Sequence, residues 1–292
     1  MKQKKYLICT DLDRTLIPNG NAPESPGAEG LFTDLVARPD VTLAYVSGRH
    51  RALVEEAMAE YQLPVPNFVL GDVGTTIYHV ESEKTWHRQE SWDQSIAEDW
   101  SGLGHSDLAE LLKDLPGLQL QEPAKQNHFK LSYYVDGTGD TSALNALVAS
   151  RLNVAGVKAR LVSSHDDISG QGLLDVLPSR ASKRHAIEAL INTEAYTLDQ
   201  TVFCGDSGND LEVLASPIPA VLVANARPEI KRQAATLAKQ EGCTGKLYVA
   251  QGNFLGMNGN YRGGMLEGIA HYHPLIGEWL AEKAARAPGD SV

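Results

Sequence analysis

Cysteine is scarce and scattered in this chain of 292 residues: Cys9, Cys204 and Cys243 are odd in number and far apart. That pattern argues against a disulfide framework or a zinc site and fits a reducing cytoplasm. Positive charge is short as well. Lys and Arg number 26 against 37 Asp and Glu, so the net charge is -11 and the pI near 5.3. Such a balance opposes non-specific binding to nucleic acid or to an anionic membrane surface. No apolar run approaches the length of a membrane span. The basic start, Met1-Lys2-Gln3-Lys4-Lys5, leads into a short strand without the long apolar region of a targeting segment. What remains is an ordinary globular composition, 42% hydrophobic and 22% charged, and the length suits two domains.

The stretch Leu7-Ile8-Cys9-Thr10-Asp11-Leu12-Asp13-Arg14-Thr15 reads as a buried strand that ends in two aspartates and breaks at Pro18-Asn19-Gly20. In an open α/β sheet the C-terminal strand ends face the ligand crevice. The same arrangement recurs downstream. A helix over Ala28 to Ala37 precedes a strand, Val41 to Val46, that ends in Ser47-Gly48-Arg49 before a helix over Arg51 to Tyr61. A strand entering a helix N-terminus is a natural anion site, though Ser47 suits an ordinary helix cap equally well. Asn67 to Leu70 is a third strand, with a hairpin-like extension over Thr75 to His79. Further on, Ser182 opens a helix to Ile191 whose first turn carries Lys183 and Arg184. Cations there oppose the helix dipole, so they either swing into water or serve a ligand. The strand Thr201 to Cys204 runs into Gly205-Asp206-Ser207-Gly208-Asn209-Asp210, with a helix from about Asp210. Ala220 to Val223 then leads to Asn225-Ala226-Arg227-Pro228-Glu229, with Pro228 near a helix start. Acids, a serine and a lysine thus fall at successive strand ends, in an order that can surround one phosphate.

From about Val80 the texture changes. A helix near Asp107 to Lys113, strands near Leu118 to Gln121 and Phe129 to Asp136, a helix near Thr141 to Leu152 and a strand near Val157 to Ser163 suggest an inserted α+β unit with an antiparallel sheet. Leu173 to Leu177 is expected to return the chain to the first unit. On the middle strand Phe129, Leu131, Tyr133 and Val135 share an apolar face; His128, Lys130, Ser132 and Tyr134 share a polar one that reads first as solvent-exposed. Gly252 to Gly264 reads as a flexible surface loop and Met265 to Ala281 as a terminal amphipathic helix. His271 and His273 lack the four-residue spacing of a helical metal pair and read as structural.

The motifs Asp11-Leu12-Asp13-Arg14-Thr15, Ser47-Gly48-Arg49, Lys183 and Gly205-Asp206-Ser207-Gly208-Asn209-Asp210 together resemble the haloacid-dehalogenase (HAD) phosphatases. Thr75-Thr76-Ile77-Tyr78-His79, Lys130-Leu131-Ser132-Tyr133, Leu177 to Lys183, Asn225 to Glu229 and Ile269-Ala270-His271-Tyr272 resemble the sucrose-6-phosphate phosphatase branch. Arg14 departs from the small residue usual at its place. The resemblance implies a Rossmann-like, doubly wound parallel α/β core over residues 1–82 and 176–292 and an inserted α+β cap of type IIB over 83–175. It implies Asp11 as nucleophile, Asp13 as acid and base, and Lys183 as the neutralising cation. Mg2+ would be held by Asp11, the Asp13 carbonyl and Asp206, with Asp210 counted in the metal site through water or else orienting Lys183. Leu12, Ser47, Gly48, Lys183 and Asn209 would hold the phosphoryl oxygens. Gln126, Asn127, His128 and Lys130 would contact the sugar. The implied substrate is sucrose 6-phosphate or another disaccharide phosphate such as mannosylfructose phosphate; a sugar phosphomutase and a catalytically silent sugar-phosphate binder are the alternatives. The expected protein is a cytoplasmic monomer with a small-molecule substrate, no nucleic acid or membrane partner, and a sucrose-phosphate synthase as a potential companion.

Overall fold

The structure is a computed structural model and describes residues 5–83, 85–135, 142–165 and 170–286. Asp136, Thr141 and the basic run Met1 to Lys4 lie outside the described residues. The elements in chain order are β1 (Tyr6–Thr10), α1 (Ala28–Val36), β2 (Val41–Val46), α2 (Arg51–Glu60), β3 (Phe68–Gly71), β4 (Thr76–Ser82), β5 (Thr85–Arg88), α3 (Glu90–Ala97), α4 (His105–Leu112), β6 (Leu118–Leu120) and β7 (Leu131–Val135). There follow α5 (Ser142–Val154), β8 (Ala159–His165), β9 (Gly172–Pro178), α6 (Lys183–Thr193), β10 (Thr201–Gly205), α7 (Leu211–Leu214), β11 (Ala220–Leu222), α8 (Pro228–Gln240), β12 (Leu247–Val249), α9 (Tyr261–Tyr272) and α10 (Pro274–Arg286).

Eight strands form one sheet in the order β12-β11-β10-β1-β2-β3-β4-β5. The pairs from β12 to β3 are parallel, and β4 and β5 add an antiparallel edge. Central β1 is buried along its whole length, which is why it reads as an unbroken apolar run rather than an alternation. Apolar layers cover both faces: Leu7, Cys9 and Phe203 belong to one, Ile8, Val202 and Cys204 to the other. The chain winds outward from β1 in both directions, so the strand order reverses between β1 and β10. That reversal opens a crevice at their C-terminal ends, where Asp11 and Asp206 stand.

The smaller sheet has the order β6-β7-β9-β8 and is antiparallel throughout. Its apolar face continues the first layer of the large sheet, with fully buried Trp100 packed edge-on against Phe129 at 5.7 Å. Two expectations about the insertion are corrected. Thr85–Arg88 still pairs within the large sheet, past residue 82, because the turn after β4 lets the chain fold straight back on it. Gly172–Pro178 does not return to that sheet but pairs between β7 and β8. The polar face of β7 is only partly open to water: His128 is exposed and Tyr134 half-buried, but Ser132 is not. Ser132 is fully buried and donates to Asp175 at 2.5 Å.

Nor is the Gly/Asn-rich stretch a flexible surface loop throughout. Asn258 and Asn260 donate to the Pro23 carbonyl, and α9, whose first nine residues are buried, begins at Tyr261. The expected terminal helix is two helices, broken where Pro274 cannot continue α9 and begins α10. The helix expected from about Asp210 is a 3-10 turn over Gly208–Asp210 followed by the four residues of α7. His273 is buried against the Tyr6 ring at 4.8 Å, and His271 stacks on Tyr248 at 4.4 Å.

Candidate active site

Asp11 follows β1 directly, its amide donating to the Cys204 carbonyl of β10. One carboxylate oxygen accepts from the Leu12 amide at 2.8 Å, and the other lies 2.9 Å from the Lys183 ammonium. Lys183 is the first residue of α6, which Ser182 caps by accepting from the His185 amide. Its Nζ also donates to Asp210 at 2.7 Å and to Asn209 at 3.0 Å. Asp210 is wholly buried, and its second oxygen accepts from the amides of Asp206 and Ser207, each at 3.0 Å. Gly205 makes room for that carboxylate, since a Cβ there would lie 2.6 Å from the Asp210 carboxyl. A second close approach seats Lys183. Gly74, at φ +93°, lies so near α6 that a Cβ would meet the Ser182 carbonyl oxygen at 2.3 Å.

Oxygens of Asp11, Asp206 and Asp210 lie within 4.8 Å of one another, and all three residues are buried. Thr15 donates to Asp206 at 3.2 Å. Burial, reinforced by Asp210, pushes the Asp206 carboxyl up to about 6. Burial also pushes Asp11 up, to about 7, against the pull of Lys183. Lys183 itself is held above the usual lysine range, because the attraction of Asp11 and Asp210 outweighs its burial, so it stays charged. Carboxyls raised in this way are short of positive charge. An oxygen-only donor set with that deficit fits a hard divalent cation.

Asp13 stands apart from this cluster. Its carboxylate takes both prongs of the Arg49 guanidinium, at 2.8 and 2.7 Å, and a hydrogen bond from Asn19 at 2.8 Å. Burial raises the Asp13 carboxyl, but those hydrogen bonds outweigh it and hold the group below its ordinary value. Ser47 is buried at the end of β2, its Oγ accepting from the Arg49 amide at 3.2 Å. Gly48 follows it in open space, with nothing nearer than Val73 at 3.9 Å from a Cβ.

The sequence model of sucrose-6F-phosphate phosphohydrolase matches residues 4–273. The chain belongs to that family. Among its relatives is a protein of Nitrosococcus oceani described as a HAD-like hydrolase, 48% identical over 280 residues, covering 96% of this chain and 75% of the relative. Mannosylfructose-phosphate phosphatase of Agrobacterium fabrum is 29% identical over 274 residues, 91% of this chain and 96% of the relative. The crystal structure of the sucrose-phosphatase from Synechocystis sp. PCC6803, in complex with sucrose and phosphate, superposes with a TM-score of 0.69 at 26% identity, covering 92% of this chain and 98% of that one. This sucrose-phosphatase-like member of the HAD phosphatases is therefore a phosphoric monoester hydrolase that acts on a sugar phosphate.

A cavity of about 740 Å³ opens over Lys183, Asp206 and Asn209. Its other walls are Arg14, Asn225 and Arg227 on core loops and Arg160, Val162 and Ser163 on β8. The residues expected at the sugar do not line it. Gln126 is spent on the Ser132 amide and carbonyl, and Asn127 donates to Thr75 at 2.9 Å. His128 lies edge-on to Phe129. Lys130 is largely buried, 4.0 Å from both Asp72 and Asp175. Reasoning from sequence missed Arg49, Asn19 and Thr15 as partners of the two aspartates. Arg49 lies in the Ser47-Gly48-Arg49 run, but its pairing with a residue 36 positions away leaves no mark in the sequence. No helix among the described residues is long and apolar enough to cross a membrane.

Proposed function

We propose that the enzyme hydrolyses sucrose 6-phosphate to sucrose and phosphate, with Mg2+, through a phosphoenzyme on Asp11. The observation that carries this reading is the Asp11 carboxylate itself, fixed at the strand-order reversal by the Leu12 amide and Lys183, beside a cluster of buried acids. An Asp11 oxygen attacks phosphorus, and the bond from phosphorus to the sugar oxygen breaks. The leaving oxygen takes its proton from Asp13. Water then attacks the aspartyl-phosphate, gives its proton back to Asp13, and releases phosphate with Asp11 restored. For the first transfer, Asp13 must exchange the Arg49 fork for the substrate.

Asp11, the Asp13 carbonyl and Asp206 would hold Mg2+, which supplies charge neutralisation for the phosphoryl group. The oxygens of Asp210 are already committed to Lys183 and two amides, so its role is to fix Lys183 and the Asp206 loop. Ser47, the Gly48 amide and Asn209 would hold phosphoryl oxygens with fixed donors. The inserted sheet serves as the cap that excludes water, and the enzyme works as a monomer downstream of a sucrose-phosphate synthase.

A substrate panel tests the reading. Phosphate release with Mg2+ is expected to be fastest from sucrose 6-phosphate, slower from mannosylfructose phosphate, and weak from glucose 6-phosphate. A flat profile overturns the disaccharide assignment. Persistent turnover in Asp11→Asn overturns the nucleophile.

A further inference from the structure

Lys183 carries the charge expected to meet the phosphoryl group, yet its hydrogen-bonding capacity is already used. An ammonium has three donors, and Lys183 faces Asp11, Asp210 and Asn209 at 2.9, 2.7 and 3.0 Å. The Arg49 guanidinium is spent on Asp13 and on the Leu53 carbonyl. Arg160, on the opposite cavity wall, is paired with Glu212. Arg14 is different. It lines the same cavity as Lys183 and Asn209, and its side chain is 41% exposed. Its Nε lies 3.8 Å from Asp206, too far for a hydrogen bond, and its guanidinium makes none among the described residues.

The backbone shows that Arg14 is placed there at a cost. Its φ is +57°, a region that favours glycine or asparagine over a long side chain. The conformation is held from both sides. The Arg14 amide donates to Asn19 at 2.9 Å, and the Arg14 carbonyl accepts from Asn225 at 2.7 Å. Asn225 in turn accepts from the amide of Tyr261, a buried residue that is itself left-handed at φ +47°. Strained residues that the surroundings over-determine cluster at sites where a side chain must be aimed. Arg227 lines the cavity too, but among the described residues Arg14 is the cavity-lining guanidinium that stands beside the acid cluster, 3.8 Å from Asp206, with its donors uncommitted.

We infer that Arg14 is a substrate-binding residue that donates to the transferring phosphoryl group and supplies the hydrogen bonds Lys183 has none left to give. A guanidinium presents planar paired donors that match two phosphate oxygens. This role rests on phosphoryl transfer at Asp11 but not on the identity of the sugar.

The test uses ligands without sugar. Binding of inorganic phosphate in the presence of Mg2+, binding of Mg2+ alone, and hydrolysis of p-nitrophenyl phosphate are measured for the whole chain and for Arg14→Asn, Arg14→Gly and Arg14→Lys. Asn and Gly both accept the left-handed backbone, so a loss is not a backbone misfit. Phosphate affinity and kcat/KM are expected to fall about ten- to a hundredfold in the Asn and Gly variants, the loss appropriate to a charged hydrogen bond. Lys, which keeps the charge but not the fork, should recover part of it. Mg2+ affinity should hold or rise, since a cation beside Asp206 has been removed. Unchanged phosphate affinity overturns the inference. So does a parallel loss of Mg2+ binding, which would make Arg14 a scaffold of the acid cluster. Neither result depends on whether sucrose 6-phosphate is the preferred substrate.

Discussion

Arg49 grips Asp13 with two parallel hydrogen bonds, Nε to Oδ2 at 2.8 Å and Nη2 to Oδ1 at 2.7 Å. The pair joins the loop after β1 to the loop after β2 and keeps the Asp13 carboxyl below its ordinary value. A group held ionised is a ready base but a poor acid, so the fork must open before a proton can be given to the leaving oxygen. Arg49→Gln removes the charge and the fork together. The Asp13 carboxyl should then titrate higher, and the alkaline limb of kcat/KM for a sugar phosphate, where Asp13 must still carry the proton it donates, should move to higher pH. A pH–rate profile reads this directly; an alkaline limb that stays in place would mean that Asp13 is not the group it reports.

Gly205 and Asp210 make a second checkable pair. A Cβ on residue 205 would sit 2.6 Å from the Asp210 carboxyl and 2.9 Å from the Phe203 ring. Asp210 cannot yield without releasing Lys183 and two backbone amides. Gly205→Ala should therefore cost roughly 1–3 kcal/mol of stability by overpacking and lower kcat through displacement of Lys183. Thermal unfolding and steady-state kinetics measure the two effects. A variant with native melting temperature and native kcat would show that this loop relaxes freely.

The strands that carry the phosphoryl chemistry were legible because their residues leave local signatures. β1 is an uninterrupted apolar run before Asp11, β2 was read with the bounds it has, and Gly205 to Asp210 is dense in loop formers. The inserted unit was legible as α+β but not in its joints. Whether Leu173–Leu177 pairs with one sheet or the other depends on contacts with β7 and β8, and an apolar strand looks alike in both. The stretch from Gly252 failed for a related reason. Glycines that usually mean looseness here allow close packing, since a Cβ on Gly268 would lie 2.2 Å from Val221 and one on Gly264 would lie 2.0 Å from the Gly259 carbonyl oxygen. The polar residues near β7 were legible as a group and misplaced in detail. The hydrogen bonds of Gln126, Asn127 and Ser132 run inward, to Ser132, Thr75 and Asp175.

Lys130 gives a prediction about how the two sheets hold together. It lies 4.0 Å from Asp72 and from Asp175, and burial already raises the Asp72 carboxyl while Lys130 pulls it down. Lys130→Met leaves Asp72 buried without that compensation. The expected loss is about 1–3 kcal/mol at neutral pH, the range for a stranded buried polar group. It should shrink as pH falls from neutral towards 5, since the raised Asp72 carboxyl takes up a proton more readily than an ordinary one. Melting temperatures of both proteins across this range test it, and a loss independent of pH would point to packing instead.

Burial and the neighbouring Asp210 push the Asp206 carboxyl up to about 6. An acid raised in the folded state binds its proton more tightly there than in the unfolded chain. Its protonated form therefore stabilises the fold at low pH, and that contribution is lost as pH rises from the unfolded value, near 4, through 6. The metal-free protein should lose stability over this window for the same reason that its acid cluster gains affinity for a cation. Mg2+ binding needs the ionised carboxylate, so near pH 6 it should release protons, with calorimetric heats that depend on the ionisation enthalpy of the buffer. The rise in melting temperature produced by Mg2+ should accordingly be larger at pH 7.5 than at pH 5. An equal rise at both values would mean that the cation is held by groups other than Asp206 and its neighbours.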